Sequence, residues 1–222
     1  MTSAGLTREL IALRVAQELS DGMAVNLGIG LPTLVANFLS DKPYVVLHSE
    51  NGILGYGGII SEASEFDQDL INAGGQPVTL HPSASFFDSA ASFAMIRGGH
   101  IDVTVLGGLQ VSAKGDLANW AVPGRGGGAI GGAMDLAVGA KRVIVAMEHT
   151  TREGEPRILE ECTFPLTAER CVNLIITNLA VIEVTTSGLL LREVAPGVTP
   201  DEVKAATGAH LLLSPGVTSM DL

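Results

Sequence analysis

Five short runs, Met23 to Leu27, Tyr44 to His48, Asp102 to Leu106, Arg142 to Met147 and Leu179 to Val184, are rich in Val and Ile and stop against turn residues. None alternates apolar with polar positions, so each reads as a strand covered on both faces, which is the condition of a parallel sheet. Parallel neighbours need a crossover long enough to hold a helix. Helical stretches fall between the runs at Pro32 to Leu39, Ser85 to Ile96 and Gly132 to Gly139. Ahead of them, Ile11, Val15 and Leu19 recur every four residues with Arg8, Glu9, Arg14 and Glu18 off that stripe, and Gly22 follows. This predicts an amphipathic helix over Thr7 to Ser20. Leu189 to Val194 predicts a further strand, and Thr199, Pro200 and Glu202 form a capping box opening a helix that ends near Gly208. The expected fold class is α/β, a mostly parallel sheet flanked by helices, in one domain over residues 1–222. The segment Gly52 to Leu70 is acidic and weakly patterned and is expected to be a functional or mobile loop.

Charge narrows the partners. Thirteen Lys and Arg face 24 Asp and Glu, a formal charge of −11, which repels phosphate backbones and excludes nucleic acid as an expected partner. An anionic small molecule must then be held by local N–H groups, a few placed basic side chains, or a partner chain. The longest apolar runs are about ten residues and interrupted, short of the roughly 20 that cross a bilayer, and Met1 to Leu10 lacks the apolar stretch of a secretory signal, so none is expected. A cytoplasmic protein with no membrane partner is expected. Cys162 and Cys171 match neither a zinc nor a disulfide spacing and read as buried thiols. The five histidines are dispersed without metal-ligand spacing, so no metal is expected.

The 27 glycines make up about 12% of the chain against an average near 7%, and they cluster at the ends of the apolar runs. Ligands in open parallel sheets bind at the carboxyl ends of the strands, so three such places are candidates. In Asn26-Leu27-Gly28-Ile29-Gly30-Leu31-Pro32-Thr33 two glycines precede a helix, which is either a plain tight turn or a pair of free N–H groups aimed at an oxyanion. In His48-Ser49-Glu50-Asn51-Gly52 the Asn-Gly pair is a turn dipeptide, and Glu50 is either a solvated side chain or a carboxylate able to act as base or nucleophile. The stretch Pro123 to Leu136 is a glycine loop entering a helix without the order of a nucleotide P-loop. No G-x-S-x-G elbow occurs. Glu50 is the one well-placed candidate nucleophile.

Taken in order, Val25 to Thr33, Ser49-Glu50-Asn51-Gly52, Leu70-Ile71-Asn72-Ala73-Gly74, Phe93 to His100, Gly115 to Trp120 and Gly131-Gly132-Ala133-Met134-Asp135-Leu136 closely resemble the beta subunit of family I 3-oxoacid CoA-transferases. The likeness runs from about Leu10 to about Leu213. It implies the CoA-transferase fold, which is ribose-phosphate-isomerase-like, and places the catalytic glutamate of the Ser-Glu-Asn-Gly motif at Glu50. It implies a substrate and CoA site at Asn26, Gly28, Gly30, Asn51, Gly52, Gly131 and Gly132. It also implies an alpha subunit, joined as a heterodimer or a two-plus-two heterotetramer, and CoA thioester as substrate with no separate cofactor.

The implied reaction transfers CoA between an acyl-CoA and a short-chain carboxylate or 3-oxoacid through a glutamyl-CoA thioester, with ping-pong kinetics. Hydrolysis of a CoA ester by the same glutamate, or a non-catalytic sugar-phosphate sensor of related fold, are the alternatives. Where relatives read Pro-Gly-Lys-Met-Val-x-Gly-Met-Gly-Gly, this chain has Arg125, Gly126, Gly127, Gly128, Ala129 and Ile130. That smaller loop bears on acyl preference, not on Glu50. The stretches Gly74 to Pro77 and Pro165 to Ala168 lean toward acetate or butyrate with acetoacetyl-CoA.

Overall fold

The Val- and Ile-rich runs form the centre of a ten-stranded sheet in the structure, a computed structural model that describes residues 5–60, 67–125 and 128–222. In chain order the strands are β1 (Ala24–Leu27), β2 (Val46–Ser49), β3 (Ile53–Ile59), β4 (Val78–Phe86), β5 (Val103–Gly107), β6 (Gln110–Ser112) and β7 (Leu117–Ala118). They continue with β8 (Arg142–Met147), β9 (Ile158–Leu159), β10 (Leu174–Thr177), β11 (Ala180–Thr185), β12 (Gly188–Val194) and β13 (Leu211–Ser219). The large sheet has the order β13-β12-β11-β10-β8-β5-β1-β2-β3-β4. Its middle, β10-β8-β5-β1-β2, is parallel throughout, whereas β3, β4 and β11 join antiparallel. All four residues of β10 are buried, as are five of the six in β8, which is why these runs are unbroken in apolarity.

Helix α1 (Arg8–Ala16) is capped by Thr7, whose hydroxyl accepts from the Leu10 N–H. It is shorter than the predicted Thr7 to Ser20 because Glu18 and Leu19 donate to residues three back, and the Lys42 ammonium takes the carbonyls of Ala16 and Leu19 at 2.6 and 2.8 Å. The stretch after β1 is a 3-10 helix (Leu31–Phe38). Helices α2 (Ser89–Arg97), α3 (Ala133–Gly139) and α4 (Pro200–Ala206) follow, and the capping box at α4 is present in full.

Three expectations are corrected. Gly52 to Leu70 is not a loop from its start, since Ile53–Ile59 forms β3; residues 61–66 lie outside the described residues. Glycine hid the strand: a Cβ at Gly57 would meet Thr79 Oγ1 at 2.4 Å, so the close approach of β4 excludes the side chains that advertise strands. Ser85 and Phe86 belong to β4, and α2 begins only where the Asp88 carboxylate caps the Ala91 N–H at 2.8 Å. Leu179 to Val184 does not join the parallel core, because that place is taken by β10.

Beside the large sheet, β7-β6-β9 form a small three-stranded sheet that carries Asn119 and Trp120 just beyond its end. No described helix is long and apolar enough to cross a membrane.

Candidate active site

Parallel pairing of β1 with β2 puts Asn26 level with His48, one residue pair before the strand ends. Ser49 closes β2, and Glu50 sits at the carboxyl edge in a turn closed by the Gly52 N–H on the Ser49 carbonyl at 3.0 Å. Asn26 Nδ2 donates to Glu50 Oε2 at 3.1 Å. The half-buried Glu50 side chain lines a cavity of about 400 Å³ together with Gly28, Ile29, Leu106, Trp120, Gly131 and Gly132. Its carboxylate also presses on the buried Tyr56, whose hydroxyl is pushed up first by burial and then by that charge.

The predicted residues divide by position. Asn26, fully buried, underlies Glu50, and Gly28, Gly131 and Gly132 share its cavity. A Cβ on Gly132 would lie 3.0 Å from the Phe93 ring and 3.8 Å from Glu50 Cγ, so glycine lets the α3 end approach without displacing that ring. Gly30, Asn51 and Gly52 do not line the cavity. Gly30 accepts from Thr33, Asn51 donates to the Ile71 carbonyl at 2.7 Å, and Gly52 packs on Phe87 so closely that a Cβ would fall 2.2 Å from its carbonyl oxygen.

Of the two readings left open for the first glycine pair, the free N–H is not met at Gly28. It donates to the Val105 carbonyl at 2.8 Å, binding the loop to β5. The altered loop is described only in part: Gly126 and Gly127 lie outside the described residues, while Gly128 rests on the Trp120 backbone.

The facing wall belongs to the Gly115 to Trp120 motif, to none of whose residues sequence reasoning gave a place in the site. Asn119 Nδ2 donates to the Gly107 carbonyl at 3.1 Å and its Oδ1 accepts from Thr167 at 2.6 Å, which holds Trp120 against the opening. A second cleft of about 610 Å³ adjoins the first at Gly107 and Gly108 and is lined by Arg8, Arg152 and Arg157. None of the three makes an ion pair with a described residue. A larger groove of about 780 Å³ lies under β2–β4, walled by Leu47, Leu54, Leu80 and main chain, away from Glu50. Size therefore does not pick out the chemistry here. Cys162 and Cys171 are free and half-buried, and burial pushes both thiols up to about 11, which leaves them poor nucleophiles at neutral pH.

The family model for coenzyme A transferase matches residues 8–206. A Bacillus subtilis protein named as one subunit of a probable succinyl-CoA:3-ketoacid coenzyme A transferase is 50% identical over 95% of this chain and 97% of its own length. The beta subunit of the Escherichia coli acetate CoA-transferase is 52% identical over 91% and 92%. The human mitochondrial succinyl-CoA:3-ketoacid coenzyme A transferase 2 is 52% identical over 96% of this chain, which spans only 41% of that longer protein. Among solved structures, the apoenzyme of the acyl-CoA transferase YdiF from Escherichia coli O157:H7 superposes with a TM-score of 0.78 at 23% identity, covering 97% of this chain and 43% of that one. Glutaconate coenzyme A-transferase from Acidaminococcus fermentans does so at 0.74 and 15%, covering 98% and 90%. These two likenesses establish the fold, and the match over residues 8–206 with the identities across nearly the whole chain establishes that this protein belongs to the coenzyme A transferase family.

Proposed function

We propose that this chain, paired with an alpha subunit of similar fold, moves CoA between an acyl-CoA and a short-chain carboxylate or 3-oxoacid, with Glu50 as the covalent carrier. The observation that carries the reading is the Asn26 hydrogen bond to a Glu50 carboxylate at the wall of a glycine-lined cavity. Oε2 takes that bond, and Oε1 has no partner among the described residues. Oε1 attacks the thioester carbon and expels CoA thiolate, leaving a mixed anhydride. The thiolate then attacks the glutamyl carbonyl and expels the first acid, which departs with Oε1, leaving a glutamyl-CoA thioester. A second carboxylate reverses both steps and restores Glu50. One thioester replaces another, so the exchange needs no ATP.

A carboxylate is a weak nucleophile and the anhydride is costly. Binding of the non-reacting parts of CoA offsets that cost at the reacting centre. The arginine-lined cleft next to the Glu50 cavity suits the phosphate-bearing end of CoA, the placed basic side chains that a chain of charge −11 needs. Bacterial relatives are named as subunits, and in the human relative the matched region is under half of one polypeptide. Both support a second unit, as a heterodimer or a two-plus-two heterotetramer. Relatives of nearly equal identity are named for succinyl-CoA:3-ketoacid, acetate and 3-oxoadipate transfer. The acyl pair is therefore proposed only as a class.

The test uses the chain co-expressed with its partner. Acyl-CoA followed by borohydride or hydroxylamine should modify Glu50, and Glu50→Gln should abolish exchange while keeping the fold. Exchange at the wild-type rate by that variant overturns the reading. Turnover that needs no acceptor carboxylate would mark a hydrolase instead. Competition among acetate, butyrate, succinate and 3-oxoadipate then ranks the acceptors.

A further inference from the structure

A row of fully buried polar side chains runs beneath Glu50 without lining its cavity: Ser92 on α2, His48 on β2 and Asn26 on β1. Asn26 Nδ2 has three acceptors about it, Glu50 Oε2 at 3.1 Å, His48 Nδ1 at 3.1 Å and the His48 carbonyl at 3.2 Å. The far ring nitrogen, Nε2, lies 3.2 Å from Ser92 Oγ. The Phe87 ring stacks on the imidazole with centroids 5.8 Å apart and planes 14° from parallel, so the ring is held by its two nitrogens and by one face.

The amide orientation is decided by its neighbours. A carboxylate and a peptide carbonyl can only accept hydrogen bonds. Turning Asn26 over would set its oxygen against both, so Nδ2 must face them. This leaves Asn26 Oδ1 buried with no partner among the described residues, a cost the amide bears to keep Nδ2 on its acceptors. The two amide hydrogens serve Glu50 and the His48 carbonyl, and an amide nitrogen cannot accept, so a proton on Nδ1 would face a nitrogen 3.1 Å away with nothing to receive it; the single ring proton belongs on Nε2, directed at Ser92. A charged ring would place a second N–H against the amide N–H. Burial opposes that charge and holds His48 down to about 4.

We infer that His48 is a positioning residue: as a neutral Nε2–H imidazole clamped between Ser92 and Phe87, it fixes the Asn26 amide so that its N–H stays on Glu50 Oε2. The inference rests on Glu50 being the covalent carrier, and its consequence lies in the second chemical step. When CoA thiolate adds to the glutamyl carbonyl of the anhydride, the C=O pair moves onto Oε2, and it returns to the carbon as the bond to Oε1 breaks and the acid leaves. Oε2 is therefore the oxyanion of that step, and a preset donor there is worth most in the transition state. His48 touches neither substrate nor reacting atoms. It acts by offering no Nδ1 proton to which Asn26 Oδ1 could turn.

Nitrogen-15 spectra of the assembled enzyme with labelled histidine read the tautomer directly. The expected result is Nε2 protonated and Nδ1 bare for His48 at neutral pH; a proton on Nδ1 overturns the inference with no variant needed. In kinetics, His48→Leu removes the polar ring edge beside the Asn26 amide and should lower kcat roughly 100-fold, the scale of a small misplacement of a reacting group, with KM for acyl-CoA nearly unchanged. His48→Asn puts an acceptor oxygen close to the position of Nδ1 and should restore most of kcat. A folded His48→Leu enzyme with wild-type kcat, or a His48→Asn enzyme no faster than His48→Leu, overturns it. If His48→Leu does not fold, the tautomer alone decides. Trapping wild-type enzyme with hydroxylamine separates the two levels: no label at Glu50 refutes the carrier reading itself, whereas a labelled Glu50 with the wrong tautomer refutes only the role of His48.

Discussion

Asn26 Nδ2 and Glu50 Oε2 lie 3.1 Å apart although 24 residues separate them in the chain. The contact exists because β1 and β2 are adjacent parallel strands and both residues sit at their carboxyl edge. Asn26→Asp keeps the shape, removes the donor and sets two carboxylates in contact, and such pairs raise the pKa of one member strongly. The acid limb of the pH–rate profile should move to higher pH than in wild type, and kcat at neutral pH should fall roughly 100- to 1,000-fold, the loss typical of one oxyanion donor.

Gly52 supports the same network from outside the cavity. At φ +126°, with the Phe87 carbonyl 2.2 Å from where a Cβ would stand, Gly52→Ala meets both strain and collision. The expected cost is about 2–4 kcal/mol in urea unfolding. Gly75→Ala is the control: its φ is +72° but no described residue lies within 4 Å of the added Cβ, so only about 1 kcal/mol of backbone strain should appear.

A buried ion cluster fastens α1 to the sheet. Arg14 holds Glu193 with two bonds of 2.6 and 2.8 Å and Glu18 with one of 2.9 Å, and Arg142 takes the other Glu18 oxygen at 2.7 Å. Arg14→Ala should cost about 2–3 kcal/mol, less than for a sealed pair because both carboxylates keep about a fifth of their surface wet. Denaturant midpoints measured against wild type check this.

Two histidines make stability depend on pH. Burial holds both His48 and His149 down to about 4, against 6.5 when unfolded. Between those values the unfolded chain binds protons that the folded chain refuses, so stability is fully present above about 6.5 and declines as pH falls toward 4. On unfolding at pH 5 these two rings should together take up about two protons, measurable as the pH slope of urea unfolding free energy. The Glu18 carboxyl, held low by Arg142 and Arg14 despite the opposing effect of burial, adds to the loss at still lower pH.

The arginine cleft predicts a separation of binding from chemistry. Replacing Arg152 and Arg157 together by Ala should raise KM for acyl-CoA roughly tenfold, the value of a hydrogen bond to a charged group, while kcat changes little. Unaltered KM at low salt would remove the cleft from the CoA site.

The residues themselves disclosed a good part of this protein. Unbroken Val and Ile runs are what strands covered on both faces require, so β1, β5 and β8 were legible within a residue or two at their ends. The capping box at Thr199 was equally plain, because both of its partners lie within one helical turn. Glu50 stood out because it directly follows such a run. What the sequence hid was every fact that depends on which strand lies next to which. The four residues of β10 are too short to announce a place beside β8, and β3 is masked by the glycines its neighbour demands. Only the folded sheet commits the Gly28 N–H to Val105, brings Asn119 across to face Glu50, and stacks Ser92, His48 and Asn26 in one buried row. Periodicity and capping are local and can be read along the chain. Donor and acceptor partners are settled by sheet order, which arises only when distant segments bury their apolar faces together.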